Sequence, residues 1–206
     1  MKSNIWNFWA NKYDKLWVQK YSLKPTRNYI LNAISDIKNN GNIQLLDLGC
    51  GPGELIEELE SNFDNLQITG IDFSEGMLEV SRKRNPEAEH FKMDVDELYK
   101  FRGKFDVIVC THSLPYYKYP ENVMKELNRI LNDNGRIFIG FASGDNFYDK
   151  FILSFVKLTT GPANYPSHEK FKRLVHSYFQ IENLKIIKEK YYMPRIAIYT
   201  LMKASI

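Results

Sequence analysis

The sequence has 206 residues, 44% hydrophobic and 26% charged, which suits one globular α/β-sized domain and excludes a disordered or fibrous chain. No apolar run reaches the ~18 residues of a membrane-spanning helix, the opening MKSNIWNFWANKYDKLW is too polar for a secretory signal, and Cys50 and Cys110 are too few for a metal cluster or disulfide framework, so a cytoplasmic protein without a metal is expected. The net charge of +3 is uneven: residues 1–30 hold six basic groups against one acidic, residues 151–206 nine against three, and the stretch between sums to −8, which suits a cationic ligand at the centre and an anionic partner at the edge.

In chain order, Ile5, Trp6, Phe8, Trp9, Tyr13, Leu16, Trp17 and Tyr21 recur at roughly helical spacing, with lysines between them. A second helix is predicted from Pro25 through Tyr29, Ile30, Ile34 and Ile37 until Asn39-Asn40-Gly41 stops it. Strands and helices then alternate. Strands are predicted at 43–48, 66–71, 88–93, 105–110 and 136–141. Between them lie helices carrying Leu55-Ile56-Leu59, then Met77-Leu78-Val80 capped by Ser74, then Val123-Met124-Leu127-Ile130. Short, fully apolar strands alternating with helices indicate a parallel sheet covered on both faces. The tail reads as a helix over 147–158, a second helix capped by Ser167, and two close strands, 181–188 and 196–202, that make a hairpin and so an antiparallel end. This divides the chain into an N-terminal helical lid (1–40), a core (41–142), and further helices with a closing β-hairpin (143–206).

The segment Leu45-Leu46-Asp47-Leu48-Gly49-Cys50-Gly51-Pro52-Gly53-Glu54-Leu55 is a strand feeding a glycine-rich turn and a helix, the general nucleotide-binding arrangement. A dinucleotide site wants a third glycine where Glu54 stands, and a carboxylate there opposes a pyrophosphate. The expected ligand therefore lacks one. S-adenosylmethionine, an adenosine joined to methionine through a sulfonium, meets that condition. Asp47 could hold its ammonium, and Gly49, Gly51 and Gly53 permit close approach of its chain. Asp72, 19 residues after Gly53 at the end of the second strand, could accept from both ribose hydroxyls. Asp94 could accept from the adenine amino group, and Met77 could pack on the ring.

With these residues the chain resembles the class I methyltransferases, especially the small-molecule type, over about residues 45–141. The resemblance runs through Asp47–Gly53, Gly70-Ile71-Asp72-Phe73-Ser74-Glu75-Gly76-Met77-Leu78, Met93-Asp94-Val95, Phe105–Leu114, Leu127-Asn128-Arg129-Ile130-Leu131 and Asn134-Gly135-Arg136. It implies a Rossmann-like three-layer sandwich with a seven-stranded, mostly parallel sheet whose last strand is antiparallel. It also implies S-adenosylmethionine as cofactor, leaving as S-adenosylhomocysteine. Cys50, Phe73, Val95, Cys110 and Thr111 join the cofactor-binding set, with residues 110–112 beside the methionine part. After Leu114 the family often continues with histidine and another polar residue. Here the chain reads Pro115-Tyr116-Tyr117, so the acceptor is not inherited from relatives.

Methyl transfer from a sulfonium proceeds mainly through proximity and alignment. His112 is the candidate general base, and Tyr13, Tyr21, Tyr116 and Tyr117 are candidates to line the acceptor pocket. The aromatic N-terminal helix would exclude water as a lid, and its basic, Trp-rich character leaves peripheral membrane contact open. The expected acceptor is a small molecule of anionic or amphipathic character. An RNA methyltransferase and a non-catalytic S-adenosylmethionine-binding regulator are the alternatives. Nucleic acid is not the expected partner, since no separate RNA-binding module is visible.

Overall fold

The computed structural model describes residues 6–7, 10, 19–37, 41–190 and 193–204, apart from the side chains of residues 19, 155 and 158–160. Residues 1–5, 8–9, 11–18 and 38–40 of the expected lid, Tyr13 included, lie outside the described residues. A π-helical turn, Gln19–Leu23, leads into α1 (Lys24–Ser35). There follow β1 (Ile43–Leu48), α2 (Glu54–Asn62), β2 (Leu66–Asp72), α3 (Glu75–Arg84), β3 (Glu89–Lys92), β4 (Phe105–Thr111), α4 (Pro120–Ile130), β5 (Leu131–Ala142), α5 (Phe147–Thr160), α6 (His168–Val175), β6 (Phe179–Ile187) and β7 (Ile196–Lys203).

The seven strands lie in the order β3-β2-β1-β4-β5-β7-β6. The first five are parallel, and β7 runs antiparallel to both β5 and β6. The order reverses at β1, between β2 and β4, and in open α/β sheets the crevice beyond such a switch point is where ligands bind. Adjacent residues on one strand serve opposite layers. Leu45 joins the layer containing Ile30 and Ile34 of α1, Ile56 of α2, Leu78 of α3 and Leu153 of α5. Leu46 joins Met124 and Leu127 of α4 and Phe171 of α6. Each such side chain, fully buried, contributes roughly 1.5–3 kcal/mol.

Local signals account for the helix starts. Ser74 Oγ accepts from Met77 N at 3.3 Å, and Ser167 Oγ accepts from Lys170 N at 3.3 Å. Pro120 stands in the first turn of α4. β5 begins at Leu131, five residues before the predicted start at Arg136. Leu131 pairs with Phe105, the register then slips, and Asn132 Nδ2 donates to Asp106 Oδ1 at 2.6 Å, so the polar stretch 132–135 between the predicted helix and strand stays on the sheet. Among the described residues no helix is long and apolar enough to cross a membrane.

Candidate active site

β1 ends at Leu48 and hands the chain to a turn in which Gly49, Gly51 and Gly53 have φ of +80°, +54° and +78°. Gly49 N and Cys50 N both donate to Ile71 O, at 2.7 and 3.1 Å, which pins the turn to the end of β2. A Cβ on Gly49 would stand 2.6 Å from Ser113 Cβ, whereas one on Gly51 would meet nothing within 4 Å. Gly49 is therefore walled in by the loop after β4, and Gly51 looks into open space.

That space is a cavity lined by Gly51, Asp72, Phe73, Met77, Met93 and Val95, with Trp6, Tyr116 and Tyr117 also on its wall. Asp72 is buried, and each of its oxygens accepts one backbone N–H: Oδ2 from Gly51 at 3.0 Å, Oδ1 from Ser74 at 2.8 Å. Burial pushes its pKa up, and the N–H groups of Ser74, Gly51 and Phe73 oppose that rise. Each oxygen keeps lone-pair capacity, so the carboxylate can still accept from a vicinal diol. Phe73, Met77, Met93 and Val95 supply an apolar slot for a flat ring.

A second cavity shares Gly49, Gly51, Thr111 and His112 with the first and adds Leu23, Arg27, Asp47, Cys50 and Glu54. Asp47 is 1% exposed and its Oδ1 has no hydrogen-bond partner among the described residues. Burial, then the like charge of Asp72, raises its pKa to about 7 against the pull of Arg27. A buried carboxylate left this way is costly, and a ligand ammonium would relieve it. Arg27, from α1, donates to Glu54 Oε2 at 2.8 Å and Glu58 Oε1 at 3.0 Å. A zwitterionic amino-acid group thus finds both an anionic and a cationic side chain in one cavity.

His112 sits on the wall common to both cavities and has φ of +58°, the one positive φ outside glycine among the described residues. Its Nε2 lies 3.1 Å from Thr26 Oγ1. Burial, then the neighbouring Arg27 charge, lowers its pKa to about 4, so the ring is neutral at pH 7. Behind it, Ser113 Oγ donates to Leu48 O at 3.0 Å and lies 2.9 Å from Tyr117 Oη, and Cys110 Sγ lies 3.2 and 3.3 Å from those two oxygens. This buried triangle locks the loop after β4 onto β1.

Residues 46–139 match the family model described as a methyltransferase domain. Over 107 residues the chain is 32% identical to malonyl-[acyl-carrier protein] O-methyltransferase of Legionella pneumophila, covering 50% of this chain and 38% of that protein. It is 29% identical over 139 residues to the ubiquinone biosynthesis O-methyltransferase of Nitrosococcus oceani, covering 62% and 58%. Magnesium protoporphyrin IX methyltransferase from Synechocystis PCC 6803 superposes with a TM-score of 0.77 at 16% identity, covering 99% of this chain and 100% of that one. The chain has the class I methyltransferase fold, with the methyltransferase domain matched over residues 46–139. It spans between about two fifths and three fifths of the length of those two curated relatives.

Within this methyltransferase fold, the residues read from sequence divide into three groups. Asp47, Gly49, Cys50, Gly51, Asp72, Phe73, Met77, Val95, Thr111 and His112 line one or both cavities, as do Tyr116 and Tyr117. Tyr117 is buried and its hydroxyl is engaged in the triangle with Ser113 and Cys110. A second group lies off the cavity walls. Gly53 packs under α3, where a Cβ would stand 2.2 Å from Ser81 Oγ. Asp94 accepts from Asp96 N at 3.1 Å and caps the 3-10 turn Val95–Lys100, while its neighbours Met93 and Val95 line the cavity. Cys110 is wholly buried. Tyr21 stands with its ring 5.4 Å from Lys20 Nζ and 6.0 Å from Lys190 Nζ. Tyr13 forms the third group, outside the described residues. Sequence reasoning missed Thr26, Arg27, Met93 and Ser113. Arg27 was visible only as one charge among six, and Ser113 only as a neighbour of the loop after β4.

Proposed function

We propose that this chain is an S-adenosylmethionine-dependent methyltransferase acting on a small molecule of anionic or amphipathic character. The observation that carries the reading is the pair of carboxylates across the glycine turn: Asp72, satisfied by two backbone N–H groups, and Asp47, buried with an unpartnered oxygen. A ligand with a diol at one end and an ammonium at the other fits both. Asp72 binds the ribose, and Phe73, Met77, Met93 and Val95 enclose the adenine. Asp47 takes the ammonium, Gly51 admits the chain, and Arg27 faces the carboxylate. The bound cofactor supplies an electrophilic methyl group on a sulfonium. The protein aligns the acceptor with that methyl and excludes water, with Thr111 and His112 on the wall where the two cavities meet.

The acceptor's character is supported by the surface around α1 and α5. Lys20, Lys24, Lys185 and Lys188 line one groove between α1 and β6. Phe147 is 86% exposed at the start of α5, with Phe151 also exposed one turn later. Relatives named as acting on malonyl-acyl-carrier protein and in ubiquinone biosynthesis support a small organic acceptor over RNA. Two buried free thiols, Cys50 and Cys110, support a reducing compartment such as the cytoplasm.

The test uses methyl-labelled S-adenosylmethionine and a cell extract separated into lipid, RNA and small-molecule fractions, with Asp72→Ala as control. Label entering the small-molecule or lipid fraction with the unaltered chain only is the expected result. Label in RNA would install the alternative substrate. No transfer to any fraction by a chain that binds the cofactor would install the non-catalytic reading.

A further inference from the structure

The seat of His112 has a feature that neither cofactor binding nor packing requires. Thr26 Oγ1 lies 2.8 Å from Ser22 O and 3.1 Å from His112 Nε2. A carbonyl oxygen only accepts, so the single hydroxyl hydrogen of Thr26 goes to Ser22. The same oxygen must therefore accept from His112, which places a hydrogen on Nε2. The neutral imidazole then carries no hydrogen on Nδ1, and nothing among the described residues donates to that nitrogen. The seat is built from three elements. His112 N donates to Gly140 O of β5 at 2.6 Å. A Cβ on Gly140 would stand 3.1 Å from Thr26 Cγ2, so a glycine there lets α1 come this close. The positive φ of His112 turns the residue out of the β4 line at the end of that strand.

We infer that Thr26 holds His112 as the Nε2–H tautomer, and that the free Nδ1 takes the proton of a hydroxyl acceptor as the methyl group arrives. This rests on the methyltransferase reading above and narrows its acceptor to an oxygen bearing hydrogen. The partner of Nε2–H is a neutral hydroxyl rather than a carboxylate, so nothing strengthens the ring as a base in the way an aspartate would. The charged groups sharing a cavity wall with it are Arg27 of α1, Asp47 of β1, Glu54 of α2 and Asp72 of β2. Arg27 and burial dominate, and the ring is a weak base.

A weak base selects among acceptors. An amine attacks through its lone pair and yields an ammonium too weakly acidic to protonate this ring. A thiol or a carbon acid must lose its proton before attack, to a stronger base. A hydroxyl proton becomes strongly acidic only as the oxygen acquires its new bond, and a weak neutral base then suffices. The acceptor oxygen bonds to the methyl carbon while the carbon–sulfur bond breaks, its electron pair staying on sulfur. The O–H electron pair stays on oxygen, and the proton passes to Nδ1 and then to water. Charge balances: one sulfonium is consumed and one imidazolium forms. His112 is the catalytic residue in this account and Thr26 the positioning residue.

The experiment has two readouts on the full chain. Nitrogen-15 spectra of histidine-labelled protein, with His112→Gln to assign the signals, report the tautomer without any turnover. Expected is a protonated Nε2 and an unprotonated Nδ1, unchanged between pH 5 and 8. Thr26→Val should mix the tautomers and Thr26→Ser should restore the original one. A proton on Nδ1, or titration near the ordinary histidine value, would overturn the assignment. For the acceptor, carbon-13 methyl-labelled cofactor is incubated with cell extract and the product's methyl shift identifies the atom it joined. A methoxyl signal, reduced about 10²-fold in rate by His112→Gln and about tenfold by Thr26→Val with cofactor affinity unchanged and rescue by Thr26→Ser, is expected. An N-, S- or C-methyl signal, or the methoxyl signal of a methyl ester formed from a carboxylate, would overturn the hydroxyl acceptor. If no methyl transfer occurs at all, the methyltransferase reading fails and the proton-transfer role with it, whereas the tautomer is read separately from the nitrogen spectrum.

Discussion

The two cavities that meet at Gly49, Gly51, Thr111 and His112 are built on opposite electrostatic terms. On the Asp72 side the carboxylate already has two backbone partners, and apolar side chains complete the wall. On the Asp47 side a buried carboxylate oxygen has no partner. One side is satisfied before any ligand arrives, and the other stores cost that a ligand can relieve. Substitutions on the first side should therefore harm fold and binding together, and those on the second should separate them.

Asp72→Ala tests the satisfied side and should show the largest effect on cofactor affinity. It removes the diol acceptor and strands Gly51 N and Ser74 N, so cofactor affinity should fall by about 10²-fold or more, with a loss of stability on the order of 1–3 kcal/mol. Calorimetry and a thermal melt check both. Affinity lost with an unchanged melting temperature would show that the two N–H groups find other partners.

Asp47→Asn tests the other side and should move the two quantities in opposite directions. The folded pKa of about 7 lies above the unfolded value near 3.8, so ionising Asp47 costs the fold stability. That cost is absent below about pH 4, grows as pH rises to about 7, and is constant above. The amide removes it, and the unliganded variant should be more stable than the parent at pH 8 by up to about 4 kcal/mol, but not at pH 4. Cofactor affinity should fall nonetheless. In the parent, affinity should weaken as pH drops below 7, because an ammonium must then displace a proton. Melts at pH 4 and pH 8 that rank the two proteins alike would sink this account of Asp47.

The glycine turn offers a finer comparison. Gly49→Ala drives a methyl into Ser113 and should destabilise the protein clearly, whereas Gly51→Ala adds only left-handed strain of about 1–2 kcal/mol. Its methyl points into open space, so binding should suffer more than folding. The smallest effect is expected for Tyr117→Phe, which deletes one hydroxyl from the triangle with Ser113 and Cys110 and should cost about 1 kcal/mol in a denaturant titration.

The satisfied side was the more legible in the sequence. Strand-end carboxylates and alternating glycines are set by local chain geometry, and the alternation of Leu45 and Leu46 between two helical layers follows from strand periodicity. The antiparallel pair at the end was legible as a hairpin because its strands are close in sequence. That its second strand would lie inside the sheet, between β5 and β6, was not, since nothing local distinguishes an inner from an outer hairpin arm. The Asp47 side depended on α1 reaching across from residues 24–35. Thr26, buried against Gly140 and bonded to His112 across 86 positions, carries no periodic or motif signal. Asp94 shows the converse: its position in the motif is plain, yet its Oδ1 caps the turn that follows, and it is the adjacent Met93 and Val95 that line the cavity.

The place of β7 also has a consequence for how the molecule comes into being. On the ribosome β5 and β6 emerge before the strand that joins them, so β5 carries an open edge and β6 has no neighbour until Ile196–Lys203 is made. Five parallel strands can assemble during synthesis, but the sheet closes only when a late segment inserts between two earlier ones. The exposed β5 edge makes that interval the one in which a nascent chain is most open to pairing with another chain.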